Sequence, residues 1–285
     1  MKPAVDAHQH FWSLSRGDYH WLTPSLGILH RDYLPADLKA QLKASGIERT
    51  ILVQAAPTEA ETAFMLQLAD QCSFVAGVVG WTNLEAADAV MTIERAAATP
   101  KLVGFRPMLQ EMKDADWILG ANLKPALRAM ADTGLCFDAL IRSEQIKIIE
   151  MLLQRHPDLN LVVDHAANPP FGRDLTTWAR DIRRLAANSR AYCKWSGLLT
   201  AAPGRVTRPD LRRVFDVLID AFGPERLMWG SDWPVLNLAS SYEDWLQESA
   251  ALFFELTAAQ RLCIMSQTAT GFYLKPKPGS GKALH

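Results

Sequence analysis

Four cysteines in 285 residues, none of them in a Cys-x-x-Cys pair, leave little with which to build a disulfide framework or a thiolate metal site. Cys72, Cys136, Cys193 and Cys263 lie far apart in apolar surroundings and read as buried thiols of a reducing cytoplasm. No apolar run approaches the ~20 residues of a membrane helix, and no charged-then-apolar leader opens the chain. Lysine and arginine number 30 against 31 aspartate and glutamate, a formal net charge of −1 with no block of one sign. That balance argues against a nucleic-acid or membrane partner. Linkers, internal repeats and low-complexity stretches are also lacking, so nothing divides the chain into domains.

What is present is core. Hydrophobic residues make up 49% of the sequence, and they fall in short runs separated by amphipathic segments. Ala4 to His10, Thr50 to Gln54, Phe74 to Trp81, Lys101 to Met108, Leu135 to Ala139, Asn160 to His165, Ala191 to Gly197 and Arg226 to Asp232 read as strands of the buried parallel kind. Helical patterns fill the intervals: Leu34 to Ser45, Thr58 to Asp70 behind a Thr-x-x-Glu capping box, Asn83 to Ala98, and Asn122 to Asp132. Further ones run from Ser143 to Arg155, Leu175 to Asn188, Pro209 to Phe222, Tyr242 to Leu252 and Ala258 to Met265. Eight such alternations predict an α/β fold, a single-domain (β/α)8 TIM barrel over residues 1–274, at a length close to the ~250 residues typical of it. The Lys- and Pro-rich stretch 275–285 reads as a flexible tail.

Function in this fold gathers at the C-terminal strand ends. Those ends carry His8 and His10, Gln54, Trp81, Arg106, Asp138, His165, Lys194 with Trp195, and Asp232 with Trp233. In a strand, residues i and i+2 share a side, so His8 and His10 aim at one point, as ligands of a divalent metal do. With His165 and Asp232 they supply three imidazoles and a carboxylate, a set suited to one zinc ion and to water acidified to a pKa of roughly 7. Asp232 is placed to take a proton from that water, and Arg106 to hold a carboxylate or polarise a carbonyl. Lys194 by itself reads equally well as a structural ion-pair partner, and Asp164, next to His165, as a structural residue pointing away. Tryptophans more often fill cores, yet Trp12, Trp195 and Trp233 stand where a ring could stack on substrate. The long segment Trp12 to Tyr33 predicts a functional loop over the site, with His20, Trp21 or His30 touching substrate.

The series Asp6-Ala7-His8-Gln9-His10-Phe11-Trp12, Gly17-Asp18-Tyr19-His20-Trp21-Leu22, Val53-Gln54-Ala55-Ala56-Pro57, Gly77-Val78-Val79-Gly80-Trp81, Gly104-Phe105-Arg106, Asp164-His165, Lys194-Trp195-Ser196-Gly197-Leu198 and Gly230-Ser231-Asp232-Trp233-Pro234-Val235 spans nearly the whole chain. In that order it resembles the lactonase branch of the amidohydrolase superfamily, and within it the sugar-lactone hydrolases of the L-fuconolactonase and L-rhamnonolactonase type. The resemblance implies Asp232 as general base, and Arg106, His165 and Lys194 around the substrate carbonyl. It also implies His8 and His10 as the strand-one pair; Gln54, from its place at a strand end, is expected among the substrate-facing groups. It implies one divalent metal, zinc before others, which lactone opening does not strictly require, and no organic cofactor. The partner implied is a small-molecule sugar lactone such as L-fuconolactone or an L-galactono-type lactone, with homo-oligomer formation left open. Two departures narrow this. Arg106 and Asp138 replace the strand-four and strand-five ligands of a two-metal centre. Asn168 stands before Pro169 where many branch members have Lys, which favours a neutral sugar lactone over a pyrone- or muconate-derived dicarboxylate. A decarboxylase on the same barrel and a non-catalytic sugar-binding barrel are the remaining alternatives.

Overall fold

A computed structural model describes residues 4–114, 116–201 and 204–277. Eight parallel strands follow one another around a single sheet: β1 Ala4–Gln9, β2 Ile47–Val53, β3 Val75–Gly80, β4 Leu102–Phe105, β5 Cys136–Ala139, β6 Leu161–Val163, β7 Tyr192–Trp195 and β8 Leu227–Trp229. The first and last meet beyond their regular ends, where His10 N–H donates to the Trp233 carbonyl at 2.7 Å and Asp232 N–H to that of His8 at 2.8 Å. The predicted barrel is therefore present.

The helices between strands are α1 Pro35–Ser45, α2 Glu59–Gln71, α3 Ala89–Ala97, α4 Lys124–Thr133, α5 Ile146–Arg155, α6 Thr176–Asn188, α7 Arg208–Phe222 and α8 Tyr242–Leu252. Local chemistry sets their starts: Thr58, Thr207 and Ser241 each accept the backbone N–H three residues on. Each helix turns an apolar stripe onto the strands, as Trp178, Ile182 and Leu185 do in α6. None of the described helices is long and apolar enough to cross a membrane.

Two sequence expectations shift. The helix expected from Asn83 begins only at Ala89, because the Asn83 side chain accepts Glu85 N–H and closes a local turn instead. The last helical segment does not end at Met265. After α9 (Ala258–Leu262) the chain passes through one wide turn and continues as α10, Thr268–Tyr273. Ala269, Phe272 and Tyr273 of α10 share one buried cluster with Val5, Ala7, Ile51, Val53, Val79, Val103, Cys136, Val162 and Met228. Side chains from seven different strands meet only inside a barrel, so α10 plugs its base, each buried large apolar side chain contributing about 1.5–3 kcal/mol. Of the expected tail, Lys275 donates to Asn160 Oδ1 and Lys277 to the carbonyls of Ala97 and Thr99; residues 278–285 lie outside the described ones.

Candidate active site

The site begins where β1 loses its regular register against β2, between Asp6 and Gln9. Asp6 Oδ1 accepts the N–H groups of His8 (3.1 Å) and Ser231 (2.8 Å), and Oδ2 accepts the Tyr242 hydroxyl, so one buried carboxylate ties the ends of β1 and β8 together. Burial pushes Asp6 up to about 6 despite those donors. His8 and His10 do converge: their Nε2 atoms lie 3.2 Å apart. His10 Nδ1 lies 2.8 Å from the Val53 carbonyl oxygen. A carbonyl only accepts, so Nδ1 carries the hydrogen and a lone pair faces outward on Nε2.

Asp232 reaches this point from an unusual backbone conformation, φ +60°. Its Oδ1 stands 3.2 Å from His10 Nε2, 3.7 Å from His8 Nε2 and 3.9 Å from His165 Nε2. Burial raises the Asp232 carboxyl, but His165, His10 and Arg106 outweigh it and hold the group below its ordinary range. Burial lowers His165, against the opposing pull of Asp232 and Asp164. It also lowers His8 well below its ordinary value, helped by Lys194 and opposed by Asp164.

The structure corrects the reading of Asp164. Regular alternation after Val162, which belongs to the barrel interior, carries Asp164 inward as well. His165 then reaches the site because the chain leaves the strand: residues 165–168 all have positive φ, from 49° to 58°. Trp178 Nε1 holds this turn by donating to the Ala166 carbonyl, and His165 Nδ1 sits 2.9 Å from Ser196 Oγ. Gly197, at φ +64°, leaves room for the ring, since a Cβ there would fall 2.3 Å from His165 Nδ1. Gly197→Ala is expected to displace His165 and lower turnover about 10²-fold, the usual cost of a 1 Å misplacement. Its melting temperature should fall as well, because a Cβ at φ +64° is both strained and crowded; initial rates measured well below the calorimetric transition separate the two effects.

Beneath these groups lies a buried ionic cluster. Arg106 Nη1 is 3.2 Å from Asp164 Oδ2 and 3.3 Å from His8 Nε2, while Nη2 donates to the Gln54 carbonyl. Lys194 Nζ lies 2.6 Å from Asp138 Oδ2, 2.9 Å from Asp164 Oδ1 and 3.1 Å from His8 Nδ1. Burial would raise Asp164, but Lys194, His8 and Arg106 bring it well below the carboxylate range. Asp138 goes the other way, to about 6, because burial outweighs Lys194. Fully ionised, three carboxylates (Asp138, Asp164, Asp232) face two cations, an excess of one negative charge beside the imidazoles.

A cavity of about 250 Å³ opens above this floor, lined by His10, Trp21, Ala55, Arg106, Met108, Gln110, Glu111, Leu140, His165, Asn168, Gly197, Thr200, Ala201, Asp232 and Val235. A wider groove of about 990 Å³ runs beside it past Arg205, Arg208, Asp244 and Glu248, without a convergent set of catalytic groups. We take the smaller cavity as the site, because the titratable cluster is there.

The expected site residues thus divide. His10, His165, Arg106, Asp232 and Trp21 line the cavity; Trp21 Nε1 donates to the Ala55 carbonyl. His8 lies just beneath. His20 and His30 are exposed and do not line it. Trp12, Trp195 and Trp233 are buried in packing instead of facing substrate. Trp12 donates to the Arg31 carbonyl, Trp195 stacks on Trp245 and donates to Ser249, and Trp233 packs on Phe11 and Tyr33. For Trp195 the cause is strand alternation: with Lys194 turned inward, its neighbour must face the helices. Gln54 sits behind Arg106, donating to its carbonyl, and Lys194 lies under His8 with no face on the cavity. Sequence reasoning missed Met108, Gln110, Glu111, Leu140, Thr200, Ala201 and Val235, which follow the strands in loops. Glu61, expected to close the capping box with Thr58, instead turns its carboxylate to Ala55 N–H (2.9 Å) and Ala56 N–H (2.8 Å) behind the Trp21 wall; burial pushes it up to about 7.

His8, His10 and Asp232 offer ligand atoms within 4.8 Å of one another. The outward lone pair of His10 and the spare negative charge fit one divalent ion. A second grouping, His8, Asp164 and His165, fits less well because Asp164 is held by Arg106 and Lys194.

The amidohydrolase family model matches residues 5–274. The chain is 39% identical over 284 residues to an L-fucono-1,5-lactonase of Burkholderia ambifaria, covering 96% of each chain. It is 36% identical over 297 residues to the L-fucono-1,5-lactonase of Burkholderia multivorans, covering 98% of each. Among solved structures, an amidohydrolase from Burkholderia multivorans with bound zinc superposes with a TM-score of 0.90 at 35% identity, over 96% of this chain and 100% of that one.

Proposed function

The chain belongs to the amidohydrolase family, and from that premise we propose that it opens a sugar lactone, L-fuconolactone before others, to the free sugar acid. One observation carries the mechanism: a carboxylate held below its ordinary range, Asp232, stands among three imidazoles on the floor of a cavity sized for a single sugar ring.

Water adds to the lactone carbonyl carbon as Asp232 takes its proton. Arg106 donates to the developing oxyanion, the kind of term that usually dominates such catalysis. The ring C–O bond then breaks, and Asp232 returns the proton to the departing ring oxygen. At neutral pH the product carboxylic acid ionises, so each turnover releases one proton. His8, His10 and Asp232 would hold a divalent ion, zinc by analogy with the Burkholderia multivorans structure. A divalent ion held there would supply Lewis acidity, to the carbonyl and to water. Lys194 belongs to the supporting cluster and not to the carbonyl.

The lining supports a neutral polyol. Gln110, Asn168 and Thr200 supply uncharged hydrogen-bonding groups, Arg106 is the one lysine or arginine lining the cavity among the described residues, and Glu111 stands at the same wall. A dicarboxylate substrate would meet that acid without a second cation. The buried Cys136 and Cys193 thiols, pushed above their usual range by burial, suit a reducing cytoplasm.

A panel of aldonolactones followed with a pH indicator tests this. Proton release is expected to be fastest with L-fuconolactone or an L-galactono-type lactone, and silence across the panel would overturn the assignment. After treatment with a chelator a slower residual rate is expected, because a lactone is already an activated ester, and zinc should restore the full rate. An unchanged rate would remove the metal from the scheme.

A further inference from the structure

We infer that Tyr273, on the helix that plugs the base of the barrel, is a positioning residue for the active site, acting through Asp138 and Lys194 on His8. Tyr273 does not line the cavity, yet its hydroxyl donates to Asp138 Oδ2 at 2.8 Å. Lys194 Nζ donates to the same oxygen at 2.6 Å. From there Nζ is 2.9 Å from Asp164 Oδ1 and 3.1 Å from His8 Nδ1. All of these side chains are buried.

An ammonium has three hydrogens, and three acceptors surround this one. Their distribution decides the state of His8. If Lys194 donates to Nδ1, the ring hydrogen must sit on Nε2, which then can neither accept from Arg106 Nη1, 3.3 Å away, nor ligate a metal ion. If its hydrogens go to the carboxylates, Nδ1 can carry the hydrogen and turn it to Asp164 Oδ1 at 3.5 Å. Asp138 is thus the lever on Lys194, and Tyr273 bears directly on that lever. Among the described residues the other oxygen of Asp138, Oδ1, has no hydrogen-bond partner, so the Tyr273 hydroxyl is one of two donors to this carboxylate there. The groups facing it are Lys194 from β7, Asp164 beyond β6, Tyr273 from α10 and Cys136 on its own strand. Burial already pushes Asp138 to about 6. Removing the hydroxyl removes support for the anion, so Asp138 would hold its proton to a higher pH. Lys194 would lose that counter-ion over the same range, and the acid limb of the activity profile would move upward.

The inference takes its kinetic readout from the lactonase reading, so its test also needs one readout without substrate. Tyr273→Phe, Asp138→Asn and Phe272→Leu are compared with the parent in the full-length protein. For Tyr273→Phe, kcat on the best lactone is expected to fall about tenfold, the effect of a lost hydrogen bond to a charged group. KM should stay unchanged, and the acid limb should rise. Asp138→Asn should lower kcat further. Phe272→Leu disturbs the same plug without touching Asp138; it should lower the melting temperature and leave the acid limb in place. Independently, nitrogen NMR of 15N-histidine-labelled protein, with the His8 signals assigned by His8→Asn, should show the His8 ring nitrogens shifted in Tyr273→Phe at constant pH. A parent protein inactive on every lactone defeats the lactonase reading, and the NMR comparison then decides the inference alone. His8 signals in Tyr273→Phe that coincide with the parent's would overturn it, as would an acid limb that does not move.

Discussion

Asp232→Asn is expected to lower kcat about 10²–10⁴-fold, the usual contribution of a positioned acid–base group, while the circular dichroism spectrum and KM stay near those of the parent. The substitution suits this position. Asp232 has φ +60°, and asparagine is, with aspartate, among the few residues that tolerate the left-handed region. The amide keeps the shape and one oxygen acceptor but cannot take the proton of water. The pH dependence of stability supplies a second signature. Asp232 lies below its ordinary range when folded, so its contribution is present above the unfolded value near 3.8 and is lost as pH falls through the folded one. Asp232→Asn should erase that part of the acid-side stability profile. A variant retaining more than a tenth of the parent rate would move the base to another residue.

Arg106 should show the other large effect, on rate and stability together. Its guanidinium contacts Asp164, His8 and the Gln54 carbonyl at once. Arg106→Met leaves Asp164 buried with one cation fewer, and removing one partner of a buried pair costs about 3–5 kcal/mol. A fall in kcat/KM of about 10²–10³-fold is expected beside it, comparable with the loss of one oxyanion donor. Arg106→Lys separates the two effects, since an ammonium can pair with Asp164 but cannot span three acceptors in a plane. Denaturant unfolding should therefore show Arg106→Lys recovering most of the stability, with the rate still low. Recovery of the rate as well would mean that charge alone, and not the forked geometry, serves the reaction.

Much of the frame is legible in the chain because it follows from short-range patterns. Apolar runs of strand length, separated by helical periodicity and capping residues, leave a parallel barrel as the economical way to cover both faces of the sheet. The barrel in turn points to the strand ends, and there His8, His10, Arg106, His165 and Asp232 stand in view. The aromatic residues are a different case. Trp12, Trp195 and Trp233 occupy sequence positions next to the site, yet burying a large ring is worth more than exposing it, and each found a packed niche with its neighbours. Trp21 differs only in that one side of its ring remained open to the cavity.

The sequence by itself determined the barrel, the end of it that carries chemistry, and the chemical types assembled there, since these depend on residue identity and spacing along one chain. The tertiary structure decided which way each of those residues faces. Asp164 turned inward and His165 followed it through a left-handed turn. Lys194 was drawn below His8 by Asp138 and Asp164, and a helix from the far end of the chain closed the base and placed Tyr273 against Asp138. The physical reason is that a buried charge must find its partners. In this protein those partners come from positions up to 236 residues apart, a distance over which no local pattern carries information.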